Sequence, residues 1–221
     1  MSKNRLKSVG KFIVRKHTYD IAKLWLGIEA VSKQAKTLNQ AEVLRVLNFI
    51  STRNHSIRNR ALLMTTFLSG MRVGEVANLL YSDVVDASGL IKDEIRLRAE
   101  QTKGNEGRTV FINDKLRKEL QIYADQYKPM NKDIKFFYSQ KRNSNGFTPN
   151  TLTQFFHFLY KKAGVDGASS HSGRRTFITN LATKGVGVRV LMSLAGHKNI
   201  STTQAYIDIN DDMKRRAVEL A

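Results

Sequence analysis

Apolar residues recur every three or four positions through most of this chain, which predicts a mainly helical protein. Polar caps and glycines divide the pattern into separate segments. The predicted helices cover about 18–34, 39–50, 56–69, 71–79, 113–127, 148–162, 171–184, 188–195, 201–206 and 211–221. Asn39 and Glu42 have the spacing of a capping box, and Pro149 occupies a tolerated first-turn position after Thr148.

Two segments alternate between apolar and polar residues instead. Leu90 to Arg98 and Arg108 to Ile112 predict an antiparallel hairpin whose turn is formed by residues 103–107. Residues 136–138 (Phe-Phe-Tyr) form a further strand or a buried loop. No internal repeat or long Gly/Ser/Pro linker divides the chain. We therefore predict an α+β, mainly helical fold with a small antiparallel β-sheet, in a domain over 37–221 that includes a C-terminal tail helix.

Charge narrows the range of partners. The 221 residues include 37 Lys and Arg against 19 Asp and Glu, a net charge of +18 and a pI of about 10.2. Such an excess indicates a polyanionic partner, most simply a nucleic acid. Charge by itself leaves DNA, RNA of the ribosomal kind and an anionic membrane surface open.

The first 36 residues are the most basic part of the chain, with nine Lys or Arg and two acidic residues. Apolar residues at 21, 24, 25, 28 and 31 add an amphipathic helix to a basic arm. The arm either clamps DNA or is a solvated tail beside a helix packed on its own domain, and both can hold. The residues expected to bind DNA are Lys3, Arg5, Lys7, Lys11, Arg15 and Lys16.

Other features exclude some classes of protein. No run of about 18 apolar residues exists, so we expect no membrane span. A continuous apolar signal region is missing from the N-terminus. The chain has no cysteine, which excludes disulfides and thiolate metal sites and is compatible with a cytoplasmic location.

Residues 171–206 hold the densest group of candidate chemical residues. His171 and Arg174 are three apart, so on a helix they share one face. His197 follows a helix that stops at Gly196, and Tyr206 lies on a third short helix for which Ser201, Thr202 and Thr203 offer N-caps. Short helices joined by tight turns can bring these side chains to one point. Neither histidine has an Asp, Glu or Cys at useful spacing, which argues against a metal pair.

These residues complete a set of motifs that resembles the tyrosine recombinases, the phage integrase family. The resemblance extends over about 37–210 and preserves motif order. The motifs are Ser69-Gly70-Met71-Arg72-Val73-Gly74-Glu75, Thr102-Lys103-Gly104, His171-x-x-Arg174, Gly196-His197 and Tyr206. Singly, each has an ordinary interpretation: Arg72 as a salt-bridge partner of Glu75, Lys103 as a solvated turn residue, Tyr206 as a buried aromatic.

The resemblance implies a division of roles in cleaving a DNA phosphodiester without metal or cofactor. Arg72 and Arg174 would stabilise the charge on the phosphate, because guanidiniums are always charged and fork-shaped. Tyr206 would be the nucleophile and Lys103 the general acid for the leaving oxygen. His197 would donate a hydrogen bond to the phosphate, and His171 would act as a base or an orienting group.

The chain departs from the family at two neighbouring positions and in length. Relatives commonly have Leu and His where this chain has Gly173 and Arg175. The glycine, at about 1 kcal/mol below Ala in helix propensity, suggests an irregular turn; Arg175 adds a cation expected to contact DNA. Relatives also carry a separate N-terminal domain that completes a clamp around DNA. Here that half is missing, supplied by the basic arm, or lost to truncation.

The predicted function is site-specific recombination of double-stranded DNA through a 3′-phosphotyrosyl intermediate. The family implies a homotetramer on paired DNA sites, accessory DNA-bending proteins in some systems, and a nucleoid-associated location if the source is bacterial. Two alternatives remain open from the residues alone. One is a non-catalytic DNA-binding accessory factor of the same fold, and the other is DNA relaxation of the type IB topoisomerase kind. An RNA-binding protein is a more distant third.

Overall fold

The computed structural model describes residues 35–102, 104–140, 145–207 and 211–219, all within the unit Ala35–Ala221. Within these ranges the chain is mainly helical with one two-stranded antiparallel sheet, which confirms the predicted fold class. The helices are α1 Gln40–Ser51, α2 Ser56–Ser69, α3 Val73–Asn78, α4 Tyr81–Val84, α5 Asp114–Gln126, α6 Pro149–Lys162, α7 Ser172–Thr183, α8 Val188–Ala195, α9 Ile200–Gln204 and α10 Asp211–Val218. The strands are β1 Glu94–Leu97 and β2 Arg108–Phe111, and a 3₁₀ turn, Ala99–Gln101, follows β1.

Local signals set most helix ends where the sequence predicts them. Asn39 accepts a hydrogen bond from the Glu42 N–H at 2.9 Å, and the Glu42 carboxylate accepts one from the Asn39 N–H at 3.1 Å. This reciprocal capping box starts α1. Gly70 ends α2 with a φ of +64°, and a Cβ there would lie 2.4 Å from the Phe177 ring. The end of α2 is therefore fixed by a glycine on which α7 packs closely.

The β-hairpin is shorter than predicted. The sheet pairs Glu94 to Leu97 with Phe111 to Arg108, whereas Ile91 makes only an isolated bridge with Val85. Residues 136–138 form a buried loop, because the hydroxyl of Tyr123 donates to the carbonyl of Phe136 at 2.8 Å. The strands are thus confined to the two arms next to the hairpin turn.

Helix α2 lies at the centre of the fold, packed against α1, α5 and α7. The contact with α7 explains Gly173, since a Cβ there would lie 2.2 Å from the Thr66 hydroxyl oxygen. The prediction of an irregular turn at Gly173 is wrong, because α7 is a regular helix from Ser172 onward. Gly173 instead allows the first turn of α7 to approach α2 closely, and this turn also contains Arg174.

Several predicted features lie outside the described residues. They are the N-terminal helix at 18–34, the six basic residues of the arm (Lys3, Arg5, Lys7, Lys11, Arg15 and Lys16) and Lys103.

None of the helices in the described part of the chain combines the length and the apolar character that crossing a lipid bilayer requires.

Candidate active site

The C-terminal end of α8 is held by three arginines from three different elements. Carbonyls at a helix C-terminus lack partners within the helix and carry the negative end of its dipole, so cations suit them. Each guanidinium takes one of three consecutive carbonyls: Arg108 donates to Leu194 at 2.9 Å, Arg174 to Ala195 at 2.6 Å and Arg72 to Gly196 at 2.9 Å. The site is therefore built around the turn that leads into His197.

Arg174 is the most deeply buried of the three, with 4% of its surface exposed. Its second donor bond goes to the carbonyl of Gly70, at 2.7 Å. Burial, together with the positive charge of Arg72, lowers the pKa of Arg174 to about 9. It therefore stays charged at neutral pH, where it ties the end of α2 to the end of α8.

Glu75 connects Arg72 to Arg108. Its carboxylate is 1% exposed and accepts from the backbone N–H of Arg72 at 2.8 Å and from the Arg72 guanidinium at 3.0 Å. Arg108 donates to the same carboxylate from Nε at 3.2 Å and from Nη2 at 2.7 Å. Burial raises the pKa of Glu75, but the hydrogen bonds and charges of the two arginines outweigh it and leave the pKa below its ordinary value.

The interpretation of Arg72 as a salt-bridge partner of Glu75 is confirmed, and its interpretation as a site residue stays a prediction that this pairing does not exclude. Arg108 was missed as a site residue. The available signal was that Arg108 is the first residue of β2, so a basic side chain follows directly after the hairpin turn.

His197 lies directly after the left-handed residue that ends α8. Gly196 has a φ of +62°, and a Cβ there would lie 2.6 Å from the side chain of Arg108, so a larger residue would disturb the arginine. The His197 Nδ1 is 2.8 Å from the hydroxyl of Thr203, which is fully buried. Burial first, and then the charges of Arg174, Arg72 and Arg108, lower the pKa of His197 to about 4. The imidazole is therefore neutral at pH 7.

Tyr206 reaches this site by a different route from the predicted one. Helix α9 is capped by Asn199, which accepts from the Ser201 N–H at 2.9 Å, and the helix ends at Gln204. The prediction that Ser201–Thr203 cap a helix carrying Tyr206 is thus wrong, because Asn199 begins the helix earlier. Tyr206 follows the helix in a turn, and its ring stacks on that of His197 with centroids 5.7 Å apart and planes at 21°.

Arg175 also contacts Tyr206. Its guanidinium carbon lies 5.1 Å from the centre of the tyrosine ring, and its Nε donates to the Thr37 hydroxyl at 3.2 Å. The residue expected to contact DNA therefore borders the candidate nucleophile.

His171 lies at the edge of the site. It is exposed at the N-cap position of α7 and, with Arg72, lines a groove of about 340 Å³. A second cavity of about 520 Å³ is lined by Arg72, Arg108 and His197. Arg72 thus faces both openings. Thr102 and Gly104, the neighbours of Lys103, line the second cavity.

The arrangement suits an anion. Three guanidiniums and one carboxylate give the described centre a net charge of +2. In the described ranges no group of three or more His, Asp or Glu side chains is placed to hold a metal ion. Fixed guanidiniums beside a neutral imidazole and a phenol can bind a phosphate and bring a nucleophile to it.

Comparison with known proteins agrees with this interpretation. The model of the phage integrase family matches residues 36–213. Tyrosine recombinase XerA from Pyrococcus furiosus is 27% identical over 186 residues, which cover 84% of this chain and 62% of that protein. XerA from Saccharolobus solfataricus is 30% identical and matches 82% of this chain and 55% of its own length. The chain thus spans less than two thirds of the length of these curated relatives.

Solved structures show the same fold. The crystal structure of XerA recombinase superposes with a TM-score of 0.65 at 28% identity, covering 84% of this chain and 64% of that one. The Tn1549 transposon integrase, solved in complex with circular intermediate DNA, has a TM-score of 0.64 at 22% identity and covers 84% of this chain and 67% of its own.

Proposed function

The chain belongs to the phage integrase family, and we propose that it is a site-specific tyrosine recombinase that cleaves and rejoins double-stranded DNA. The observation that carries this proposal is the convergence of Arg72, Arg174 and His197 on one helix end, with Tyr206 stacked on His197. No single one of these residues indicates catalysis, but together they supply a phosphate-binding centre and a nucleophile.

In the proposed reaction the phenol of Tyr206 loses its proton to a neighbouring base or to water, and its oxygen attacks the phosphorus of a DNA phosphate. The bond to the 5′-oxygen breaks, that oxygen takes a proton, and the 3′-phosphate remains on the tyrosine. A 5′-hydroxyl from a second strand then attacks the phosphotyrosyl bond and releases the phenol. Because one phosphodiester is exchanged for another, the bond energy is retained and no nucleotide triphosphate is consumed.

Arg72 and Arg174 stabilise the negative charge on the non-bridging oxygens. Both are held before substrate arrives, so little reorganisation is needed in the transition state, the condition under which electrostatic stabilisation is most effective. Glu75 and Arg108 orient Arg72 through the shared carboxylate. They act on the phosphate through Arg72.

His197 donates a hydrogen bond to the phosphate as a neutral imidazole. The proposal requires the Thr203 hydroxyl, 2.8 Å from Nδ1, to be the donor in that contact, so that the ring proton is on Nε2. We assign Lys103 as the general acid for the leaving 5′-oxygen and His171 as a base or orienting group at the neighbouring groove. Both assignments rest on the family motifs.

The proposed partner is double-stranded DNA, bound by a homotetramer at paired sites. Accessory DNA-bending proteins would take part in some settings. The reaction would take place in the cytoplasm or at the nucleoid. Residues 1–36 would bind the DNA backbone through their basic side chains and precede the catalytic domain at 37–221. Size measurement with and without target DNA tests assembly, since a chain that stays monomeric on DNA would contradict the tetramer.

Covalent trapping tests the chemistry. Duplexes flanking the gene, each with a nick beside the cleavage position so that the cleaved end diffuses away, are incubated with the protein, and SDS-stable protein–DNA adducts are counted. We expect an adduct with the wild-type chain and at least about 1,000-fold less with Tyr206→Phe at unchanged DNA affinity, because only the phenolic oxygen is removed.

Tyr127→Phe, a tyrosine outside the site that packs near Tyr123, is the matched control and should form the adduct normally. If the wild-type and Tyr206→Phe chains both bind DNA tightly and neither forms an adduct, the result would instead favour the function of a non-catalytic accessory factor. Relaxation of supercoiled DNA without products joining two duplexes would favour the topoisomerase-like one.

A further inference from the structure

Arg174 and Arg175 are neighbours on α7 but have different surroundings. Arg174 is buried and donates to two backbone carbonyls. Arg175 is partly exposed, donates from Nε to the Thr37 hydroxyl at 3.2 Å, and lies with its guanidinium carbon 5.1 Å from the centre of the Tyr206 ring. One turn of helix therefore presents one arginine to the phosphate-binding centre and the next to the nucleophile.

The contact between Arg175 and Tyr206 is within the range of a cation–π interaction, which extends to about 6 Å from the ring centre. Thr37 steadies the guanidinium by accepting from Nε. Thr37 is in turn held near α7, because the N–H of the next residue, Leu38, donates to the Thr176 hydroxyl at 2.9 Å. The polypeptide before α1 thus forms a support for Arg175.

Tyr206 needs such a contact because its backbone bonds do not orient its ring. Its N–H donates to the Thr203 carbonyl at 3.0 Å, and its carbonyl accepts from Thr179 at 3.4 Å. These bonds fix where the residue sits, whereas the ring still has two side-chain torsions. The stack on His197 and the guanidinium of Arg175 are the contacts that select a ring orientation.

We propose that Arg175, oriented by Thr37, is a positioning residue that holds the Tyr206 ring in the active site of its own chain. The inference rests on the proposed function and deepens it. It also differs from the role expected from the sequence, in which Arg175 contacts the DNA backbone. A positioning residue changes the rate of attack once DNA is bound, whereas a phosphate contact changes the affinity for DNA and its salt dependence.

The test uses the full chain with Arg175→Gln, Thr37→Val and the double variant. Dissociation constants are measured at several salt concentrations, and adduct formation is followed in single turnover at saturating nicked duplex. For Arg175→Gln we expect a rate about 10-fold lower, with affinity within about twofold and an unchanged salt slope. Thr37→Val should lower the rate about threefold, because Arg175 remains but is less well oriented.

The double variant decides whether Thr37 acts through Arg175. If it does, the rate of the double variant equals that of Arg175→Gln, because the support has nothing left to orient. Arg175→Lys keeps the charge but not the planar fork, so its rate should fall between those of Arg175→Gln and the wild type. Multiplicative losses in the double variant would overturn the coupling to Thr37.

An Arg175→Gln chain with weaker DNA binding, a shallower salt slope and a normal saturating rate would overturn the proposal and leave the recombinase function intact. Thermal unfolding of each variant identifies loss of folding. If Arg175→Gln does not fold, Thr37→Val carries the test, and a normal saturating rate there counts against the proposal. Failure of the wild-type chain to form any adduct would overturn the proposed function and, with it, this inference.

Discussion

The two halves of the candidate site are held together by different forces. The phosphate-binding half consists of charged side chains that are largely buried and hydrogen-bonded to carbonyls and to Glu75. The nucleophile half is a turn after the five-residue helix α9, where the Tyr206 ring stacks on His197 and the Arg175 guanidinium lies over the ring. Charge-assisted hydrogen bonds are stronger and more directional than ring contacts.

This difference suits the proposed reaction, in which the tyrosine must attack and later leave. The phosphate stays in one place through cleavage and rejoining, so the groups that bind it gain from being fixed. The phenolic oxygen must move along the line of attack, and weaker contacts allow that movement at lower cost. Substitutions in the phosphate-binding half should therefore lower both the stability of the fold and the rate of cleavage. Substitutions in the nucleophile half should lower the rate alone.

After removal of the nucleophile itself, the largest expected effect comes from Arg72. Arg72→Lys keeps a positive charge but replaces the fork, which reaches Glu75 from Nη1 and the Gly196 carbonyl from Nη2, with a single nitrogen that cannot span both groups and a phosphate. We expect the single-turnover rate of adduct formation to fall about 100- to 1,000-fold, as for loss of one preorganised donor. Arg60→Lys, which alters the arginine that pairs with Glu119 on α5, is the control and should cleave at the wild-type rate. Equal rates for both variants would show that the fork of Arg72 is not used.

Glu75→Gln tests the fixed half through stability. The substitution removes a carboxylate that two arginines share and leaves their charges without a counter-ion. Only 1% of the surface of Glu75 is exposed, so water cannot replace the lost charge. The free energy of unfolding, measured by urea denaturation, should fall by about 2–4 kcal/mol. Glu119→Gln breaks a more exposed pair and should cost less than about 1 kcal/mol. Similar losses for the two variants would contradict the distinction between buried and exposed pairs.

The smallest effect is a pH dependence due to His197. Its pKa in the folded chain is about 4, below the ordinary value of 6.5. Between pH 6.5 and pH 4, therefore, His197 takes up a proton in the unfolded chain but not in the folded chain. The stabilisation is present above pH 6.5 and is lost as the pH falls toward 4. Between pH 7 and 5 the wild-type chain should lose about 1–2 kcal/mol more unfolding free energy than His197→Asn. Parallel curves for the two chains would show that His197 is not shielded from protonation.

The sequence predicts helices well where a local signal stops them. Asn39, Gly70 and Asn113 end or begin helices through their own side chain or φ angle, and those helices form where predicted. It predicts poorly where distant residues decide. Residues 136–138, predicted as a strand or a buried loop, form the loop. There the Phe136 carbonyl accepts from the Tyr123 hydroxyl and the Phe136 N–H donates to the Leu79 carbonyl, and no local pattern decided between the two alternatives.

For the candidate site, the sequence predicted the side chains that the structure brings together, and their catalytic roles stay a prediction. The order of the motifs at Arg72, His171, Arg174, His197 and Tyr206 is enough to identify the family, because motif order is a property of the chain alone. Arg108, Thr203 and Thr37 were not identified, since each acts through a tertiary contact that no motif marks: Arg108 and Thr37 contact residues far away in sequence, and Thr203 contacts His197 across the turn before α9. Arginine and threonine are common along the chain, and only the contacts seen in the structure distinguish these three residues from the other arginines and threonines.

By itself, then, the sequence was enough to predict the fold class, the family and the candidate site residues, because periodicity, capping and motif order can be read along the chain without any tertiary contact. Only the tertiary structure decided that three arginines meet three consecutive carbonyls, that Gly173 lets α7 approach Thr66, and that Arg175 lies against Tyr206. These contacts join residues that are far apart along the chain. Packing and burial select them, and neither acts until the chain has folded.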